Sequence, residues 1–295
     1  MRYFFYLFIF TNLLYGFDFN TQANYDRLAL IKYMETKFKD PLNNIYQFFP
    51  YSNQSQLKNF TKNITKDQFI HGIYAFDKES QKEKNNQLVS FPFAPNIQNG
   101  QYLYKRYIQQ CIPYPTVFGD YPKFNKKTNQ IITLSNAIMQ CAKKQHLDIG
   151  DNGWNYYSGK TADVEAYISS ISAKAKNKID IKIPTKEAFN AYQNGKKEYY
   201  SKRGLLNISC ASCHIQGAGK KFNNQFLSPL LGQINHFPVY KTSKQDIFTL
   251  EYSISQCSYK QGETPHKPDG KWMANIIYFM SYSSNTTPIL QDTRR

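Results

Sequence analysis

The run Cys210-Ala211-Ser212-Cys213-His214 constrains this chain more than any other feature of its sequence. Two cysteines separated by two residues and followed by histidine form the attachment signature of a c-type haem. The spacing lets both sulfurs reach vinyl groups on one porphyrin edge, and the adjacent histidine becomes an axial iron ligand. A zinc site would want four ligands, commonly from a second paired motif, and the sequence has none. A thioredoxin-like redox pair would want a βαβ context, which is also missing.

The N-terminus agrees with this chemistry. Met1-Arg2-Tyr3 opens the chain, and a mostly apolar stretch from Phe4 to Tyr15 precedes Gly16. A short positive start, an apolar core and a small residue read as a signal peptide over residues 1–16. A buried N-terminal helix is the competing reading. The stretch is too short to span a bilayer comfortably, and no later stretch approaches that length. Export suits a c-type haem, which is normally attached outside the cytoplasm; the expected location is the periplasm, without stable membrane insertion. With 295 residues, 41% hydrophobic and 20% charged, the chain is long enough for two globular domains. The formal charge is +16, and loss of residues 1–16 removes only Arg2. Lysine is spread along the chain without a dense arginine tract or nucleic-acid motif. A small oxyanion or an acidic protein therefore fits better as a partner than nucleic acid.

Of five cysteines, Cys210 and Cys213 go to haem thioethers, leaving Cys111, Cys141 and Cys257. An internal repeat shows how these divide. Gln98-Asn99-Gly100 precedes a Tyr-rich helical stretch and Cys111; Gln193-Asn194-Gly195 precedes a similar stretch and the haem motif. Leu134 to Gln140-Cys141 resembles Leu250 to Gln256-Cys257. Gly159-Lys160 leads into a helix with Tyr167, and Gly270-Lys271 into one with Tyr278. Shared order implies a duplicated domain. Cys111 and Cys141 then converge on the space a haem would fill, and a disulfide between them is expected in an oxidising compartment. Two unpaired buried thiols are the alternative.

Both halves read as helical, giving a mainly α fold of two cytochrome c-like domains, the first haemless. Tyr25 to Lys39 carries apolar residues at Leu28, Ile31, Met34 and Phe38, with Pro41 to stop it. Ala162 to Ile171 and Trp272 to Tyr282 also suit helices. Loops are marked by Cys111 to Pro115 and Gln261 to Gly270. No regular alternating strands are expected. The domains run from 17 to 178, including an N-terminal extension, and from 179 to 295, with the boundary near Asn177–Lys178.

Arg203-Gly204-x-x-Asn207-x-Ser209-Cys210-Ala211-x-Cys213-His214 resembles the haem segment of the SoxA family, cytochromes of thiosulfate oxidation. So do Gln216-Gly217, Ser228-Pro229-Leu230-Leu231-Gly232, His236-Phe237-Pro238-Val239-Tyr240, the terminal Asp292-Thr293-Arg294-Arg295 and Tyr25 to Tyr33. The resemblance implies two cytochrome c-like domains, with a disulfide replacing the N-terminal haem in members that carry one haem c. It implies a cysteine as second axial ligand, a position filled here by Cys257. It also implies an L-cysteine S-thiosulfotransferase that joins thiosulfate to a cysteine of the carrier SoxYZ, with SoxX, a small cytochrome c, as partner. The family usually has arginines just before the ligand cysteine. Here Tyr252, Ser253 and Ser255 stand there, which makes Lys241, Lys244 and Lys260 the candidate anion-binding cations.

From the residues alone, Cys257 is a candidate iron ligand, or else a free thiol or half of an intermolecular disulfide; that its sulfur is catalytic is what the resemblance implies. A thiolate donor stabilises ferric iron and lowers the potential. Met273 and Met280 are the competing ligands, and with them the chain would be an electron-transfer cytochrome c. A docking subunit without turnover is a third class. His236 is expected to be structural or to line a pocket; His71, His146 and His266 are expected at the surface.

Overall fold

Residues 19–37, 93–150, 153–222, 225–241 and 243–289 are described by a computed structural model. The signal segment 1–16, Phe38 to Pro41, His71 and the terminal 292–295 lie outside them. The first helix, α1 (Phe19–Glu35), starts before the predicted Tyr25. Its buried side chains are Ala23, Arg27, Leu30, Ile31 and Met34. Leu28, expected inside, is 48% exposed. Arg27 takes the inward direction instead, donating to the Asn285 carbonyl and, at 2.9 Å, to Thr286 Oγ1. A charged group tolerates that position because it is hydrogen-bonded.

Two helix pairs follow, and each crosses at a glycine. Helix α2 (Ala94–Leu103) packs on α4 (Gly159–Lys174), and α5 (Lys186–Tyr200) packs on α7 (Lys271–Ser283). A Cβ on Gly100 would lie 1.9 Å from the Asp163 carbonyl oxygen; one on Gly195 would lie 1.9 Å from that of Asn275. Only a residue without a side chain allows backbones this close. Tyr104 lies four residues after Gly100, with its ring 5.3 Å from Tyr167. Tyr199 lies four residues after Gly195, with its ring 5.4 Å from Phe279. Tyr167 thus corresponds to Phe279, not Tyr278, so the predicted repeat is displaced by one residue in its last helix. Tyr278 is buried as well, and α7 is apolar on most sides, so sequence gives little to phase it.

Between the helices of each pair lies a second matching unit. Strands β1 (Lys123–Asn125) and β2 (Gln130–Ile132) form an antiparallel hairpin leading into α3 (Leu134–Lys144). In the second repeat a hairpin β3 (Lys221–Phe222)–β4 (Gln225–Phe226) is followed by β5 (Val239–Lys241) and β6 (Asp246–Phe248), which lead into α6 (Leu250–Lys260). Thr133 and Thr249 cap α3 and α6, their side chains accepting from the Asn136 and Tyr252 amides. The sequence predicts no strands; two- and three-residue strands are too short to show alternation.

The apolar core is continuous across both repeats. Segment 177–181 ties them further, through Ile179 N to the Thr287 carbonyl at 3.0 Å and Asp180 N to the Gly119 carbonyl at 2.9 Å. Helix α1 sits on the second repeat: Lys196 pairs with Asp26 at 2.8 Å and the Tyr282 hydroxyl donates to the Asn20 carbonyl at 2.8 Å.

Cys111 and Cys141 form a disulfide, with a sequence separation of 30 residues. Closing such a loop removes unfolded-state entropy equivalent to roughly 3–4 kcal/mol. The double substitution Cys111→Ser, Cys141→Ser is expected to lower unfolding free energy by about that amount in denaturant titration. A change below about 1 kcal/mol would contradict the entropic argument.

Candidate haem site

The haem motif begins ten residues after α5 ends at Tyr200. Ser209 and Ser212 bond reciprocally: Ser212 N donates to Ser209 Oγ at 3.1 Å, and Ser209 N to Ser212 Oγ at 3.1 Å. This exchange satisfies amides at the start of a helical turn, in the manner of a capping box. It fixes the stretch that holds Cys210 and Cys213, and the turn runs on through Ser212–Gln216. The preceding loop is anchored by Arg203. It pairs with Glu198 and, at 3.4 Å, with Glu263, and lies over the Trp272 ring at 5.2 Å. His266, expected as a plain surface residue, stacks on Trp272 with ring centroids 3.7 Å apart and meets Glu263 at 3.0 Å. A Gly204 Cβ would lie 2.4 Å from the Gln261 carbonyl oxygen, so this loop closes against the end of α6.

His214 is oriented through Nδ1, which lies 2.7 Å from the Ser228 carbonyl. Donation of Nδ1–H to a backbone carbonyl selects the tautomer in which Nε2 is the ligating nitrogen, the usual arrangement of a metal-bound histidine. The Tyr199 hydroxyl donates to Gln233 Oε1 at 3.0 Å, which leaves the Gln233 Nε2 3.0 Å from His214 Nδ1 as a packing contact, because the Nδ1 hydrogen is spent on Ser228. Tyr199 is 1% exposed. Burial pushes its phenol well up, and Cys210, Cys257 and Cys213 all act in the same direction.

The thiols themselves separate two chemistries. Burial pushes Cys210 up to about 12, and Cys257 adds to the rise. Burial and then Cys257 also raise Cys213. A reactive dithiol needs the opposite shift. A pair held neutral beside a histidine of fixed tautomer, with a third sulfur near both, fits a thioether-linked haem with a sulfur donor available. His214 and Cys257 would hold the iron, and Cys210 and Cys213 the porphyrin.

Cys257 is exposed on α6. Helical spacing puts Ser253 and Lys260 on its face, four residues before and three after. Tyr252 and Ser255 point elsewhere. Tyr252 stacks on Phe248 at 4.2 Å with Lys241 over its ring at 5.1 Å, and the Ser255 hydroxyl donates to Tyr157 at 3.4 Å. Lys244 is exposed in the β5–β6 turn. Met273 and Met280 are 0% and 2% exposed within the core face of α7, and His236 is 1% exposed beside Phe237. His146 is exposed. Sequence reasoning did not single out Tyr199 or Gln233. The repeat held the signal for Tyr199, since Tyr104 occupies the same place after Gly100.

Residues 194–289 match the family described as SoxA/TsdA, cytochrome c domain. The chain is 32% identical over 226 residues to the L-cysteine S-thiosulfotransferase subunit SoxA of Chlorobaculum tepidum, covering 74% of this chain and 77% of that protein. The chain belongs to the SoxA family. The SoxA of Allochromatium vinosum is 30% identical over 240 residues, covering 79% of this chain and 84% of that one. The crystal structure of SoxXA from P. pantotrophus matches this SoxA-family fold with a TM-score of 0.62 at 19% identity, over 80% of this chain and 90% of that one. Among the described residues no helix is long and apolar enough to cross a membrane.

Proposed function

We propose that this SoxA-family chain is an L-cysteine S-thiosulfotransferase subunit working in the periplasm. It pairs with a SoxX-like small cytochrome c and acts on thiosulfate and a cysteine of the SoxYZ carrier. The observation that supports this most directly is the packing of the loop before Cys210-Cys213-His214 against the end of α6, the helix on which Cys257 is exposed. A single haem c would be held by Cys210 and Cys213, with His214 and Cys257 as the side chains that would bind its iron. Bound there, it supplies one-electron redox chemistry.

Lys260 and Ser253 flank Cys257 and receive the thiosulfate anion, with Lys241 and Lys244 of the β5–β6 hairpin adding positive field. The Cys257 thiolate forms a sulfur–sulfur bond with the sulfane sulfur of thiosulfate, and two electrons leave toward the partner cytochrome. The carrier thiolate then attacks that sulfane sulfur. The bond to Cys257 breaks, the carrier takes the thiosulfate as a disulfide-linked adduct, and the Cys257 thiolate returns. Low-temperature EPR of the ferric protein is expected to give a low-spin thiolate signature. A His–Met signature would replace this reading with the electron-carrier one, through Met273 or Met280.

A further inference from the structure

Glu165 of α4 and Glu251 of α6 are 4% and 2% exposed, and they meet at the seam between the repeats. Ser135 Oγ, from α3, lies 2.5 Å from Glu165 Oε1 and 2.8 Å from Glu251 Oε2. Thr133 Oγ1 donates to Glu251 Oε1 at 2.8 Å. Hydrogen counting restricts the cluster. The Ser135 hydroxyl has one hydrogen and faces two carboxyl oxygens, so the second contact requires a hydrogen on a carboxyl.

Physical chemistry says which one. Burial pushes Glu165 well above the ordinary carboxyl range, and the Glu251 charge pushes it further. Burial raises Glu251 too, but hydrogen bonds from Thr133, Ser135 and Thr249 oppose the rise. Glu251 also lies in the first turn of α6, where the helix N-terminus favours an anion. Glu165 lies in the interior of α4. The hydrogen therefore sits on Glu165, which donates to Ser135, which donates to Glu251. Of the other carboxyls, Asp163 lies on α4 and Asp246 on β6, and the Asp246 charge adds to the rise that burial gives Asp163. Asp163 accepts from Asn96 and Asn99 at 2.6 Å each. Tyr157, just before α4, accepts from Ser255 of α6 at 3.4 Å.

We propose that Glu165 and Glu251 share a single proton across the seam, and that this proton positions α6 and with it Cys257. Release of the proton to water leaves two anions around one hydroxyl. Their repulsion pushes the first turn of α6 away from α3 and α4. Cys257 lies six residues further on, about 9 Å along the helix. Because both carboxyls are raised, their contribution to stability is complete below the ordinary carboxyl range and is lost as pH rises through the raised values. The link to Cys257 rests on the proposed ligand role; the shared proton does not.

The test uses the holoprotein and the variants Glu165→Gln and Glu251→Gln. Infrared difference spectra of wild type are expected to show the carbonyl band of a protonated carboxylic acid that disappears in one alkaline step. The ratio of the two forms changes about tenfold per pH unit, as one proton requires. E165Q keeps a donor to Ser135 but cannot titrate. It is expected to lack the band and the alkaline fall in melting temperature. E251Q turns an amide toward two hydroxyl donors and is expected to melt lower at neutral pH. The ferric EPR signal of wild type should shift with the same step, and that of E165Q should not. A band that persists in E165Q overturns the shared proton, and an EPR step that persists there overturns the positioning role. If the band behaves as expected but the EPR lacks a thiolate, the ligand reading of Cys257 fails and the shared proton stands.

Discussion

Cys257→Ser is expected to abolish conjugation of thiosulfate while the haem stays attached. The proposed cycle needs a sulfur that can be a thiolate, bond to another sulfur and leave again. A serine hydroxyl does none of these at neutral pH. Removing a covalent nucleophile of this kind costs on the order of 10^4-fold or more in turnover. The attachment site is separate, since Cys210 and Cys213 are set by the Ser209–Ser212 exchange rather than by α6. Intact mass of the purified variant should therefore still show one haem and the Cys111–Cys141 disulfide. Turnover is read by reduction of an added acceptor cytochrome with thiosulfate and carrier present. Full activity in the variant would remove Cys257 from the mechanism, whatever the iron's other ligand.

Gly195→Ala should be the most destabilising single-methyl change in the haem-bearing repeat. Alanine is the better helix former by about 1 kcal/mol, so propensity alone predicts a gain. The tertiary contact reverses the sign. The added carbon would lie 1.9 Å from the Asn275 carbonyl oxygen and 3.0 Å from Phe279 Cβ, both on the facing helix. Relief requires α5 and α7 to separate, which loosens Tyr199 and Tyr192 from Phe279 together. Overpacking of this kind costs about 3 kcal/mol. For a protein of this size that lowers the melting temperature by roughly 6–12 °C. Gly100→Ala should do the same at the α2–α4 crossing, where the facing oxygen belongs to Asp163. Thermal melts followed by circular dichroism read both, and a variant melting at or above wild type would show that the crossings have room to spare.

Those two glycines also show how far sequence reasoning reaches. Gln-Asn-Gly before each Tyr-rich stretch marked the repeat, and the segments from Leu134 to Cys141 and from Leu250 to Cys257, each closing on Gln-Cys, marked its second half. Short-range order of this kind survives in sequence because each landmark answers a local need. The one-residue displacement at Tyr278 and Phe279 arose because α7 is apolar on most sides, so periodicity could not phase it. Leu28 went to the wrong face of α1 because Arg27 finds hydrogen-bond acceptors at Asn285 and Thr286, more than 250 residues away, that no local pattern contains. His266 was read as a surface residue for the same reason: Trp272 and Glu263 make its environment.

By itself, the sequence determined the covalent chemistry. Two thiols and a histidine at fixed spacing specify a haem attachment point wherever the chain folds, and the spare cysteines follow by counting. The tertiary structure decided what surrounds that point. It brought the loop before the motif against the end of α6, set Tyr199 and Gln233 beside His214, and placed Glu165 against Glu251 across Ser135. Spacing of neighbouring residues is written along the chain. Burial and the meeting of distant charges exist only once the helices have crossed.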